Sequence, residues 1–513
     1  MFDLVIRNGT IVDGTGNPGF RGDVAINGGK IAAIGKGLEG REMIDASGLT
    51  VTPGFIDSHS HADKATLAYP DLREKVEQGI TCAVSGQCGS SPFPISRQIK
   101  REDVPETYDR RVTPAAFLSA VRDMPLGCSQ TYSVGHGALR AAVLDRQDRK
   151  PTEAEMAKMK DLLREAMENG ALGLSFGLFY SPGCYAETAE VLELAKVVAE
   201  YDGVVSAHMR DEGDRLIQAA EEYVSVIREA GVRGVISHHK AGSGKRNWGK
   251  VHQTLRMVDE AVESGVNLYL DVYPYIASST SLNSAFLPGD FRAKRSAERV
   301  AILRDPAGRA ELKDRISERW GSDFSWVKLN TCPGNEDVNG LFVPEAAKKQ
   351  GKEVYDFLFD LYLAAEPDSV RGNFFTMNEN DMMTVMAHPR AMICTDSGVV
   401  GKGGFYHPRL RGSFPRAIGV YVREKKVTTL PDMIRKMTSL PAQVYRLPGK
   451  GILRPGFDAD LCVFNFDTIR DTGDFDHIER RPTGLNYVLV GGKVVAKDSV
   501  YTGERRGKSI LFR

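Results

Sequence analysis

The chain has 513 residues, 42% hydrophobic and 26% charged, proportions of a globular enzyme with a large catalytic domain and a smaller companion. Lysine plus arginine number 67, as do aspartate plus glutamate, so no overall field draws nucleic acid or anionic lipid. No run reaches the roughly 18 apolar residues of a membrane span, the first residues lack the parts of a signal peptide, and seven scattered cysteines do not make a disulfide framework. The expectation is a cytoplasmic protein with neither nucleic acid nor membrane as partner.

The first fifty-odd residues read as short strands. LVIRNGTIVD carries Asn8-Gly9, a hairpin signal, and DVAINGGKIAAIG repeats the pattern at Asn27-Gly28-Gly29. The far end has the same texture in DADLCVFNF (458–466) and LNYVLVGGKVVAKDSV (485–500). Between about 55 and 445, apolar β-rich runs alternate with amphipathic helical stretches. Helix 153–170 leads to strand 171–175, helix 186–203 to strand 204–208, helix 212–231 to strand 232–239, and helix 251–265 to strand 266–273. Successive helix–strand pairs imply a parallel sheet with crossover helices. Over this length, and with no GxGxxG after the opening strand, the fold class is an α/β (β/α)8 TIM barrel rather than an open doubly wound sheet. Residues 276–376 break the rhythm and read as an inserted lid, after which the barrel resumes at RAMICTD (390–396).

The histidines and cysteines fall where a barrel would gather them, at strand C-termini. In VTPGFIDSHSHAD, His59 and His61 are two apart, so an extended segment points both imidazoles the same way. Alone, such a pair is equally a polar turn. Cys82 reads as a small core residue, whereas Cys88 stands in a Gly-rich turn just beyond the next strand. His208 closes VVSAH, and residues 209–212 open the following helix. His238 and His239 close GVISHH, and adjacent strand residues face opposite ways. His238 is therefore assigned to the metal, and His239 to a supporting or substrate contact. Asp396 ends MICTD as a general base, or equally as a helix cap. His136 is a candidate cavity-lining residue; His252, His388, His407 and His477 are assigned structural or surface roles. Five His/Cys groups and one Asp on successive strand ends make a borderline-soft donor set, for which Zn2+ is the best cation.

With these motifs the sequence resembles the amidohydrolase superfamily, and within it the N-acyl-D-amino-acid deacylases (D-aminoacylases). FDLVIRNGTIVDGTGNPGFRGDVAI and PGFIDSHSH are superfamily-wide, while GLSFGLFYSPG, SAHMRDEG, ISHHK, LDVYPY, HPR…GSFPR and GFDADLCVF are more specific to the deacylases. The resemblance implies a barrel over 56–445 joined to a small β-sandwich or β-barrel domain built from 1–55 and 446–513. It makes Cys88, His208 and His238 ligands of a tightly held zinc, His59, His61 and Asp396 a second, weaker metal position, and Asp396 the catalytic acid/base. Lys240, Tyr273 and Arg409 would hold the carboxylate of a small N-acyl amino acid, Ser279 and Met377 would line its side-chain pocket, and Tyr180 or His61 would stabilise the oxyanion. Without the resemblance, Lys240 and Arg409 read as ordinary surface ion-pair residues. Hydantoinase-like relatives bridge two metals through a carboxylated lysine, and ALGLS (171–175) offers none. That disfavours the alternative of a cyclic-amide (hydantoinase or dihydroorotase-like) hydrolase. A non-catalytic scaffold is disfavoured by the presence of all six ligand positions.

Overall fold

The computed structural model describes residues 1–95, 113–145, 147–294, 296–365, 369–399 and 407–512. Eight parallel strands form the barrel: β1 (Phe55–Ser60), β2 (Ile80–Ser85), β3 (Ser129–Tyr132, continued by Val134–Gly135), β4 (Gly173–Gly177), β5 (Val204–His208), β6 (Arg233–Ile236), β7 (Leu268–Val272) and β8 (Ala391–Ile393). They pair in that order. β8 returns to β1 through a parallel bridge between Ser60 and Ser397, and Asp396 N donates to His59 O at 2.9 Å. Every residue of β1, β2, β4, β5 and β7 is buried, as expected for parallel strands covered by helices.

The helices of this layer include α1 (His136–Leu144), α2 (Glu153–Glu168), α3 (Thr188–Glu200), α4 (Leu216–Ala230) and α5 (Val251–Glu263). A capping box between Thr152 and Glu155 starts α2. The sequence places the start of α4 at 212, yet the helix begins at Leu216. Asp211 Oδ1 accepts the backbone N–H groups of Gly213 and Arg215 at 2.7 and 3.2 Å, so the chain turns before it winds.

Strands from both chain ends share one nine-stranded sheet, sewn together where Thr50–Pro53 lies antiparallel to Leu461–Phe464. Asn27-Gly28-Gly29 forms the expected turn between Phe20–Asn27 and Lys30–Gly35. Asn8-Gly9 does not. It sits inside the strand Phe2–Ile11, where the register shifts and Asn8 takes φ 61°. The positive φ that suits a hairpin also suits a β-bulge. The last residues leave this sheet: Gly507 and Ser509 bridge to Leu126 and Gln130, and Ile510 joins Ile56, Val84, Val204 and Val235 under the barrel.

Between β7 and β8 stands the insert. Its strands Ser278–Ser281, Arg371–Phe374 and Val327–Thr331 form an antiparallel sheet. Leu282, Phe286, Phe324, Val327 and Phe374 belong to an apolar core separate from that of the barrel.

Candidate active site

Three residues at the mouth depart from strand geometry in the same way. Cys88, His238 and Asp396 have φ of 53°, 36° and 47°, the left-handed region where a non-glycine residue is strained by about 1–3 kcal/mol. Each follows the end of a barrel strand, and the ligand atoms of all three, with that of His59, lie within 4.8 Å of one another. For His238 the turn is held by Asp271, whose Oδ1 accepts the His238 N–H at 2.6 Å and whose carbonyl accepts the His239 N–H at 2.7 Å.

The donors converge. Cys88 Sγ lies 3.3 Å from His59 Nε2, 3.2 Å from His238 Nε2 and 3.8 Å from His208 Nδ1, and the last two nitrogens are 3.0 Å apart. Ligands about 2.0–2.3 Å from one zinc ion stand at such separations from each other. Burial holds His59, His208 and His238 well below the ordinary histidine range, in the neutral form that offers a lone pair. Burial and the nearby carboxylates push the Cys88 thiol well up, so a thiolate here calls for a cation beside it. A thiol and imidazole lone pairs facing one point therefore fit zinc in chemistry and spacing.

Asp396 closes the group. Its Oδ1 is 3.2 Å from His61 Nε2 and 3.6 Å from His59 Nε2, while Oδ2 meets Arg409 Nη1 at 2.7 Å. Burial alone would raise its pKa. The Arg409 guanidinium and the histidines outweigh this and hold the carboxyl well below the usual range, as a carboxylate. Arg409 in turn lies over the Tyr273 ring, 4.6 Å from its centroid.

A cavity of about 810 Å³ opens over this floor, and His61, Cys88, Asp396, Arg409, Tyr180 and Ser279 line it. Lys240, Tyr273 and Met377 stand behind that lining. Lys240 Nζ meets Glu212 Oε2 at 2.6 Å and the His238 carbonyl at 3.0 Å, and Tyr273 Oη donates to Met377 Sδ at 3.4 Å. Three histidine assignments change. His239 points away from the site, its Nε2 2.7 Å from Thr254 Oγ1 on α5. His136 is buried against Glu190 at 2.8 Å rather than lining the cavity. His407 does line it, with Nε2–H donating to the Ala277 carbonyl at 2.9 Å.

Two residues escaped the sequence reading. Glu212 lies 3.0 Å from His238 Nδ1 and 3.3 Å from His208 Nε2, so one carboxylate backs both imidazoles as well as Lys240. Lys75 is fully buried beneath the floor. Its Nζ meets Asp57 Oδ2 at 2.9 Å, Thr395 Oγ1 at 2.7 Å and the Ser397 carbonyl at 2.7 Å. It thus ties the segment that carries His59 to the one that carries Asp396.

The amidohydrolase family profile matches residues 42–312 and 402–496. A D-aminoacylase of Alcaligenes xylosoxydans xylosoxydans is 35% identical over 516 residues, covering 99% of this chain and 97% of that one. An N-acyl-D-glutamate deacylase of the same organism is 35% identical over 504 residues, covering 96% and 93%. Among solved structures, an N-acyl-D-glutamate deacylase from Bordetella bronchiseptica superposes with a TM-score of 0.83 at 33% identity, covering 99% of each chain. The chain is an enzyme of the amidohydrolase family, in its N-acyl-D-amino-acid deacylase (D-aminoacylase) branch.

Proposed function

We propose that the protein hydrolyses the amide bond of N-acyl-D-amino acids, releasing a carboxylate and a D-amino acid, with zinc as its cofactor. The observation that carries this reading is the Asp396 carboxylate, held between His61 and Arg409 on the cavity floor beside Cys88. Cys88, His208 and His238 would hold the tightly bound zinc, and His59, His61 and Asp396 a weaker second ion. A zinc ion supplies a Lewis acid for the amide carbonyl and makes a water acidic enough to attack it. Relatives support the assignment: the Bordetella bronchiseptica structure holds zinc and a phosphonate mimic of the tetrahedral intermediate, and one-metal activation with second-metal attenuation is described for a D-aminoacylase.

The chain's own groups do the rest. Asp396 Oδ1 takes the proton of the attacking water and returns it to the amide nitrogen as the C–N bond breaks. Burial pushes the Tyr180 phenol up and keeps it protonated, a donor for the developing oxyanion alongside His61. Arg409, which lines the cavity, receives the substrate carboxylate and can offer two N–H groups, with Tyr273 and Lys240 backing it from behind the lining. Ser279 stands at the wall where the side chain lodges, and Met377 fixes Tyr273 from behind. All seven cysteines are free thiols, which supports a cytoplasmic location.

Asp396→Ala should keep its tight zinc and lose about 10²–10⁴-fold in turnover of N-acetyl-D-amino acids, read by amine release. Unchanged turnover would reject Asp396 as the base. A panel of D- and L-forms and hydantoins decides the substrate class, and exclusive cleavage of the rings would overturn the deacylase reading.

A further inference from the structure

The cavity extends well beyond what an N-acetyl group fills. Its volume of about 810 Å³ lies towards the upper end of the roughly 300–1,000 Å³ range for drug-sized ligands. Its two ends differ in chemistry. The insert after β7 contributes Ser279, Thr280, Ser281, Ser284 and Arg371, hydroxyls and a cation. The other end is lined by Pro94 and Ile95, beyond β2, and by Ala138, Ala141 and Ala142 on α1, beyond β3. In an eight-stranded barrel, the third and seventh strands face each other across the mouth. The polar and apolar ends are therefore on opposite sides of Cys88 and Asp396.

The apolar arm is built as a wall. Residues 138, 141 and 142 share one helical face, which is only partly covered, while Leu139, Arg140 and Leu144 are buried on the other. Ser91 brings the arm no free hydroxyl, because its Oγ is bonded to the Phe93 carbonyl and to Gly135 N–H. The arm runs out to Asp145 and Lys64, both exposed at the rim. From Ala138 to Asp145 the helix advances about 10 Å, the reach of a medium-length alkyl chain.

On the deacylase reading the amide sits over Asp396, and the amino-acid half turns towards Arg409, backed by Lys240 and Tyr273, on the β6–β8 side. The acyl half then leaves towards β2 and β3. We infer that this arm is an acyl subsite for medium-length aliphatic chains, and that the preferred substrates are N-acyl-D-amino acids with acyl groups of hexanoyl to octanoyl size rather than acetyl. The inference rests on the function proposed above, yet its failure is separable from that one.

The experiment is a ladder of N-acetyl, N-butanoyl, N-hexanoyl and N-octanoyl forms of one D-amino acid with the zinc-loaded enzyme. We expect kcat/KM to rise by up to about fourfold per methylene buried. Octanoate should inhibit more strongly than acetate. Ala138→Phe should lower the octanoyl-to-acetyl ratio at least tenfold. If the acetyl substrate is cleaved and kcat/KM stays flat or falls with length, the subsite is rejected and the deacylase reading stands. A wild-type rise that Ala138→Phe leaves untouched also rejects this arm as the place. No cleavage of any member overturns both readings.

Discussion

The floor of the site and the wall raised by the insert solve different problems. On the floor, functional groups are held by residues packed beneath them. Asp271 holds the turn at His238, Glu212 backs two imidazoles, and Lys75 joins the strand of His59 to the segment of Asp396. The wall rests on a separate antiparallel sheet with its own aromatic core, and it offers hydroxyls and Arg371. Bond-breaking needs donors held to fractions of an ångström, whereas choosing a side chain needs only a surface that can be rebuilt. Damage to the floor should therefore appear in zinc affinity and kcat, and damage to the wall in KM.

The largest effect should come from below the floor. Lys75→Met leaves the Asp57 carboxylate buried without its cation, a loss of about 3–5 kcal/mol in denaturant unfolding. Turnover should fall with it, because Thr395 and Ser397 flank Asp396. Adding Asp57→Asn removes the stranded charge and should restore much of the stability. A single variant as stable as wild type would show that the two segments are fixed by other contacts.

The wall gives the contrasting result. Leu282 is fully buried in the core of the insert, beside Ser281 and Ser284. Leu282→Ala should cost about 2–5 kcal/mol within the insert. It should raise KM for N-acyl-D-amino acids while zinc content stays at the wild-type level. A fall in zinc content would mean that floor and wall are coupled.

What could be read from the sequence follows the same division. Cys88, His208, His238 and Asp396 were legible because barrel strands are continuous apolar runs, and a polar residue ending one marks the mouth. The strand pattern also gave β4 to β7 nearly in place, and β4 carries no lysine. The supports were hidden. Lys75 meets Thr395 across 320 positions, which no local pattern reveals; the one available clue, Asp57 as a charge inside an apolar strand, was passed over. Glu212 was absorbed into a helix that in fact starts at Leu216. Alternation placed His238 and His239 on opposite sides correctly, but the supporting role given to His239 fails because its ring is taken up by Thr254 on α5. In the insert, Ser278 pairs with Phe374 and Thr331 with Arg371, too far apart in sequence to leave a local signal.

Glu212 offers the finest test of the difference between floor and wall. Its two oxygens lie 3.0 and 3.3 Å from the outer nitrogens of His238 and His208, and Lys240 stands 2.6 Å away. When those histidines bind zinc through their inner nitrogens, the outer ones carry protons, and a carboxylate orients both rings and raises their basicity. Glu212→Gln keeps the shape but turns one acceptor into a donor facing an N–H. Tight-zinc affinity should then fall about 10–100-fold in competition with a chromophoric chelator, with little change in unfolding. If zinc affinity held and only KM rose, Glu212 would act through Lys240 on the substrate carboxylate. It would then belong to the selecting surface despite its place on the floor.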